Sequence, residues 1–202
     1  IATIYHDWGD LDQALEYAQS SLKAKEQLGM TEALPFALQQ LAVVQAALGE
    51  FTVAEDNFRR SIDLSRQLGG EIFFEARSKA LLGRFLGSRG RLEEARTLVE
   101  ESLEIARNQS EFIYAICLQA SAPVFMWQGE VEKGAVMLEQ ALAVLEQIGA
   151  KYSVCVTCAF LALAKRQSGD AVAAENYAVR CLELAAPESC VQLFISNAEM
   201  ML

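Results

Sequence analysis

Histidine is almost missing from this chain: His6 is the single one in 202 residues. A zinc site needs about four ligands, drawn mostly from cysteine and histidine, and a Ser–His or Cys–His nucleophile needs a positioned base. One histidine at the N-terminal edge supplies neither, so no metal, cofactor or catalytic residue is expected. The cysteines (Cys117, Cys155, Cys158, Cys181 and Cys190) are odd in number and lack a framework-like spacing. They read as free thiols in a reducing, cytoplasmic setting. Cys155-Val156-Thr157-Cys158 spells C-x-x-C, but inside an expected helix it reads as small buried apolar residues. No phosphate-binding G-x-x-x-x-G-K-[ST] occurs, and no strand to precede one. No apolar run approaches the ~20 residues of a membrane span, so no membrane partner is expected.

Positive charge is scarce too. Seventeen basic residues stand against 27 acidic ones, a net charge of −10. Such a surface repels phosphate backbones and argues against nucleic-acid binding by this region. The paired carboxylates Glu93-Glu94 and Glu100-Glu101 fall on exposed helix faces, where they solvate. The N-terminal Ile1-Ala2-Thr3-Ile4-Tyr5-His6 has no initiator Met, basic region or cleavage site. It reads as the tail of a helix, and a fragment of a longer protein is expected.

What the chain has in quantity is apolar residues (52%) and a repeat. Gly9, Gly49, Gly90, Gly129 and Gly169 recur at 40, 41, 39 and 40 residues. Five residues after each comes a very small side chain: Ala14, Ala54, Ala95, Gly134 and Ala174. Twelve after each comes another, Ser21, Ser61, Ser102, Ala141 and Cys181, followed by a large aliphatic. Offsets of five and twelve differ by two helical turns, so the small residues share one face and let a neighbouring helix approach. A second set of turns follows about twenty residues later, at Leu28-Gly29, Leu68-Gly69-Gly70 and Ile148-Gly149; Asn108 fills that role in the third repeat and Pro187 stops the fifth. The pattern predicts helices over about 1–8, 10–28, 31–48, 50–68, 71–88, 91–107, 111–128, 130–148, 151–168, 170–186 and 188–202. The repeats run about 1–28, 31–68, 71–107, 111–148 and 151–186, with 188–202 starting a further helix.

These residues resemble the tetratricopeptide repeat family. The small first-helix position of its signature is held by Ala42, Gly83, Ala122 and Ala162, seven residues before each turn glycine. The repeat of about 40 residues is similar to the long variety found in bacterial signal-transduction ATPases, LuxR-type activators and polarity adaptors. The resemblance implies an all-α, right-handed superhelical solenoid of antiparallel helix pairs. It implies a non-catalytic module that binds a protein or peptide, as the sensor or partner-binding arm of a larger bacterial regulator or signalling protein. A free-standing adaptor or scaffold, and a small-molecule inducer sensor, are the alternatives. Pro123 inside a first helix and Gly134 in the following second helix depart from the pattern. Either they are neutral or they shape the groove in the fourth repeat.

In this family the first helices line the concave face. Carrying those positions over gives Phe36, Gln39, Val43, Arg77, Arg84, Ile116, Gln119, Met126, Trp127 and Arg166 as groove residues, with His6 at the open N-terminal end. The set holds three arginines and no carboxylate. It implies a partner segment with acidic and apolar side chains, Arg77 and Arg84 pairing with carboxylates and Phe36, Met126 and Trp127 anchoring. Gln39, Val43, Ala80 and Arg84 stand where the family's two-carboxylate clamp needs Lys and Asn, so chaperone-tail binding is not expected.

Overall fold

The computed structural model describes residues 1–69 and 72–188. Among them the chain forms ten α-helices and no strand: α1 (Ala2–Trp8), α2 (Leu11–Gln27), α3 (Leu34–Ala47), α4 (Phe51–Leu68), α5 (Ile72–Ser88), α6 (Leu92–Arg107), α7 (Glu111–Trp127), α8 (Val131–Ile148), α9 (Lys151–Gln167) and α10 (Ala171–Ala185). The expected boundaries agree to within about three residues. Ahead of α3, Thr31–Ala33 winds as a 3-10 turn, and Pro35 sits in the first turn of the helix that follows. There its missing N–H costs nothing, because the first helical N–H groups have no intrahelical acceptor. The expected helix 188–202 and Cys190 lie outside the described residues.

The repeat glycines are chain reversals. Gly49 and Gly129 have φ of 81° and 86°, a left-handed conformation that L side chains enter only at steric cost. Asn108 does not take the left-handed role expected of it: its φ is −94°, and α6 ends without that cap. Asp10, Ser110 and Asp170 cap the helices that follow them by accepting from the backbone N–H three residues on.

Helix pairs are held by small residues meeting across each turn. Gly83 of α5 lies against α6 so closely that a Cβ would sit 2.6 Å from Val99 Cγ1 and 3.0 Å from the Ala95 carbonyl oxygen. Gly134 of α8 does the same to α7, its Cβ falling 2.5 Å from Met126 Cγ and 3.1 Å from the Ala122 oxygen. One repeat places glycine in its first helix and alanine in its second; the next reverses them. Gly134 is therefore a close-packing position between α7 and α8. Gly134→Ala gains about 1 kcal/mol of helix propensity but meets an overpacking cost of about 1–3 kcal/mol. A lower urea midpoint is the expected result, and a higher one would show that Met126 yields freely. Pro123 is buried, and α7 runs through it to Trp127. Its ring removes the N–H that the Gln119 carbonyl would accept.

The first helices α1, α3, α5, α7 and α9 pack on one another in turn, while the second helices pack on the first helices to either side. The array therefore curves with its first helices inside. Across the wider outer gaps run long charged side chains. Arg59 of α4 reaches Glu94 of α6 at 2.6 Å, Arg96 of α6 pairs with Glu130 ahead of α8, and Arg180 of α10 pairs with Glu146 of α8. Exposed pairs of this kind contribute about 0–1 kcal/mol each, so the apolar seam carries the fold. Its centre is Phe58, Leu82, Leu86, Phe125, Leu138 and Phe160, all 2% exposed or less.

Candidate partner-binding groove

The ten expected groove residues divide into three groups. Phe36, Val43, Arg77, Arg84, Ile116 and Trp127 stay at least partly open on the inner helices, Phe36 being 40% exposed. Trp127 lies flat on α5, because Gly87 has no Cβ; one added there would fall 2.8 Å from the indole ring. Arg166 stands apart, in a cleft of about 370 Å³ between α9 and α10 lined also by Leu163, Glu175 and Leu182. The last three, Gln39, Gln119 and Met126, are not on the groove surface. They are 0%, 9% and 5% exposed. Met126 turns toward α8 and packs on Gly134.

The glutamines hold consecutive inner helices together. The Gln39 amide donates to the Phe74 carbonyl at 3.1 Å and to the Ser78 hydroxyl at 2.6 Å on α5. Gln119 repeats this on α9, donating to the Ser153 carbonyl at 2.6 Å and Thr157 Oγ1 at 2.7 Å. Ala80 and Ala159 hold the equivalent position in the alternate repeats. The seams alternate accordingly: α5 and α7 approach closely, whereas α3–α5 and α7–α9 are wider and spanned by a glutamine. A buried amide left without partners costs about 1–3 kcal/mol, so this satisfaction is what permits glutamine there at all.

Arg77 and Arg84 lie two turns apart on α5, facing inward. Arg77 donates to Gln39 Oε1 and lies 5.9 Å from the centre of the Phe36 ring. Its acceptor is a neutral amide, where most of the other basic side chains have a carboxylate. Burial pulls the Arg77 guanidinium down to about 10, and the charge of Arg84 adds to that. Burial lowers Arg84 as well, countered by Tyr152. Arg84 makes no hydrogen bond or ion pair among the described residues. Both remain cationic at neutral pH.

Two further residues belong here that the sequence reading passed over. Tyr152 of α9 donates its hydroxyl to Asp7 Oδ1 of α1 at 2.9 Å, joining positions 145 residues apart. Asp7 also meets the His6 ring at 3.2 Å. The inner face thus does hold a carboxylate, and His6 stands against a closed contact, not at an open end. The register could have found both. Tyr152 is one turn before Val156, and Asp7 precedes Gly9 as Trp127 precedes Gly129.

The thiols are buried structural groups. Cys155 of α9 donates to the Cys181 carbonyl at 3.4 Å, and its sulfur lies 3.7 Å from that of Cys181 on α10, not beside Cys158. Burial pushes the Cys117 and Cys158 thiols up to about 11, keeping them protonated and inert.

Antiparallel helix pairs with a turn glycine, small residues meeting across each pair and first helices inside define a tetratricopeptide-type solenoid. The match to known families is in keeping: the family described as MalT-like TPR region covers residues 1–202, and the chain belongs to it. No curated protein matches the chain significantly. Among solved structures it is similar to BtubC (BKLC) from P. vanneervenii, with 20% identity over 92% of this chain and 77% of that one, at a TM-score of 0.63. It is also similar to a putative kinesin light chain of nearly identical TPR-like repeats from Podosopora anserina. There the identity is 18%, the coverage 92% of both chains and the TM-score 0.58. At these identities the likeness is one of fold.

Proposed function

We propose that this chain is a non-catalytic partner-binding arm of a larger bacterial regulator or signalling protein, holding a peptide or protein segment along its inner face. The observation that carries this reading is the row of partly open apolar side chains, Phe36, Val43, Ile116 and Trp127, on inner helices that Gln39 and Gln119 tie to their neighbours. Such a wall is pre-organised, so a ligand that meets it spends little free energy on ordering the protein. Apolar side chains of the partner pack on this row, and its charged side chains are acidic, complementing Arg77 and Arg84.

Selection of peptides from a random displayed library against the purified chain tests this. Binders should lose about tenfold or more in affinity on Phe36→Asp with Ile116→Asp, roughly the effect of truncating hot-spot contacts. They should be unchanged by Val53→Asp with Val136→Asp, two exposed positions on the second helices. Binders that respond to the outer pair and ignore the inner one would move the site to the convex face.

A further inference from the structure

Most guanidinium groups on and beside the second helices are matched with carboxylates. Arg59 and Arg91 share Glu55 and Glu94, Arg66 meets Glu75 at 2.8 Å, and Arg96 has Glu100 and Glu130. In a chain with ten more acidic than basic residues, that is easily arranged. Arg84, on the inner helix α5, has no such partner among the described residues. A guanidinium carries five N–H donors in a planar fork and cannot shed its charge in compensation. Partly shielded from water and without an acceptor, it costs free energy that an apolar residue of similar length would not. Arg77, two turns away on the same helix, deepens the positive potential while its own fork is engaged by Gln39.

Opposite them stands Tyr152, near enough to influence both cations, with its hydroxyl given to Asp7. Helices α1, α5 and α9 thus bring a carboxylate, two guanidiniums and a phenol around one stretch of the inner face. The carboxylate bonds the phenol and forms no ion pair with either arginine. An α-helix with its side chains is about 10–12 Å across, and the Tyr152–Asp7 contact ties α1 to α9 over this stretch. An extended segment, which presents one acidic side chain at a time, needs less room beside that tie than a helix does.

We propose that Arg84 is an oxyanion site that receives the carboxylate of a Glu or Asp from an extended partner segment, and that Asp7 holds the Tyr152 hydroxyl until that carboxylate displaces it. The inference rests on the groove reading above and adds to it the chemistry of one subsite and a resident competitor. Arg84 supplies the paired donors, Arg77 the surrounding potential, and Tyr152 a third donor once released. Asp7 sets a threshold: a partner must outcompete an internal carboxylate, which discriminates against weakly acidic or misplaced segments.

The test uses the whole chain and two synthetic peptides, one alternating Leu with Glu and one alternating Leu with Gln, with inorganic phosphate and citrate as separate probes. The Glu peptide should bind at least tenfold more tightly than the Gln peptide. Arg84→Gln should abolish that difference, Arg84→Lys should restore part of it, and Asp7→Ala should strengthen the Glu peptide severalfold while leaving the Gln peptide unchanged. Unchanged thermal midpoints for these variants confirm that the effect is local. If both peptides bind equally to the native chain, the oxyanion site is overturned while the apolar groove stands. If neither peptide binds, the groove reading falls and takes this one with it. Tight, Arg84-dependent binding of phosphate or citrate without discrimination between the peptides overturns the peptide source in favour of a small anion.

Discussion

Phe125→Ala should destabilise the protein by about 3–5 kcal/mol, the range for emptying a fully buried aromatic site. Phe125 is 1% exposed on α7, at the junction of three helices. Arg96 of α6 lies 5.3 Å from the ring centre and Lys133 of α8 3.9 Å. Each cation over the ring adds about 0.5–1 kcal/mol. The neighbourhood cannot collapse to fill the cavity, because Pro123 and the Ala122–Gly134 approach already fix the spacing of α7 and α8. In a repeat array each unit leans only on its neighbours, so the loss should be local. Hydrogen exchange should accelerate across α6, α7 and α8 and change little in α2. A loss under about 1.5 kcal/mol, or a uniform acceleration along the chain, would contradict this.

Gln39→Leu is the second large effect, and its cause is different because the volume is nearly conserved. Gln39 is 0% exposed and joins three helices. It donates to Phe74 and Ser78 of α5, and Ser78 meets Ser61 of α4 at 2.8 Å, which donates to the Pro35 carbonyl at 2.9 Å. Leucine leaves the hydroxyl chain partly satisfied but strips Arg77 of its acceptor. A charged partner left behind costs about 3–5 kcal/mol when fully buried. Arg77 is half-open to the groove and can turn toward water, so about 2–3 kcal/mol is expected. The double variant Gln39→Leu with Arg77→Leu should recover a good part of it. If the two losses simply add, the pair is not coupled.

The helices and their pairing were legible because the repeat announces them five times over. A glycine required at each reversal and small residues two turns apart leave few other structures open. Orientation within the inner helices was harder. Gln39, Ala80, Gln119 and Ala159 share one register position, and assigning the two glutamines to the groove treated polarity as a sign of exposure. The structure shows why that fails: glutamine is buried wherever the following first helix offers a hydroxyl twelve residues before its glycine, as Ser78 and Thr157 do. That alternation was visible in the sequence. The contact of Asp7 with Tyr152 was not, since it depends on how tightly the array curves over two repeats, a quantity that no single helix encodes. Arg77 and Arg84 were placed on the inner face by the family resemblance. Their lack of carboxylate partners could only be established with neighbouring helices in place.

The alternation of glutamine and alanine seams has a consequence for how such a gene can change length. Phe74 and Ser153 both stand sixteen residues before a turn glycine, and Ser78 and Thr157 twelve before. Excise α5 to α8, and Gln39 would find Ser153 and Thr157 in the places of its present acceptors. Excise α5 and α6 alone, and it would face Cys117, which offers no hydroxyl. Removal of one repeat therefore strips this buried amide of an acceptor, while removal of two leaves it with equivalent ones. The polar seams of this array thus repeat as a doublet, and a chain shortened by two repeats should keep more of its stability per repeat than one shortened by a single repeat.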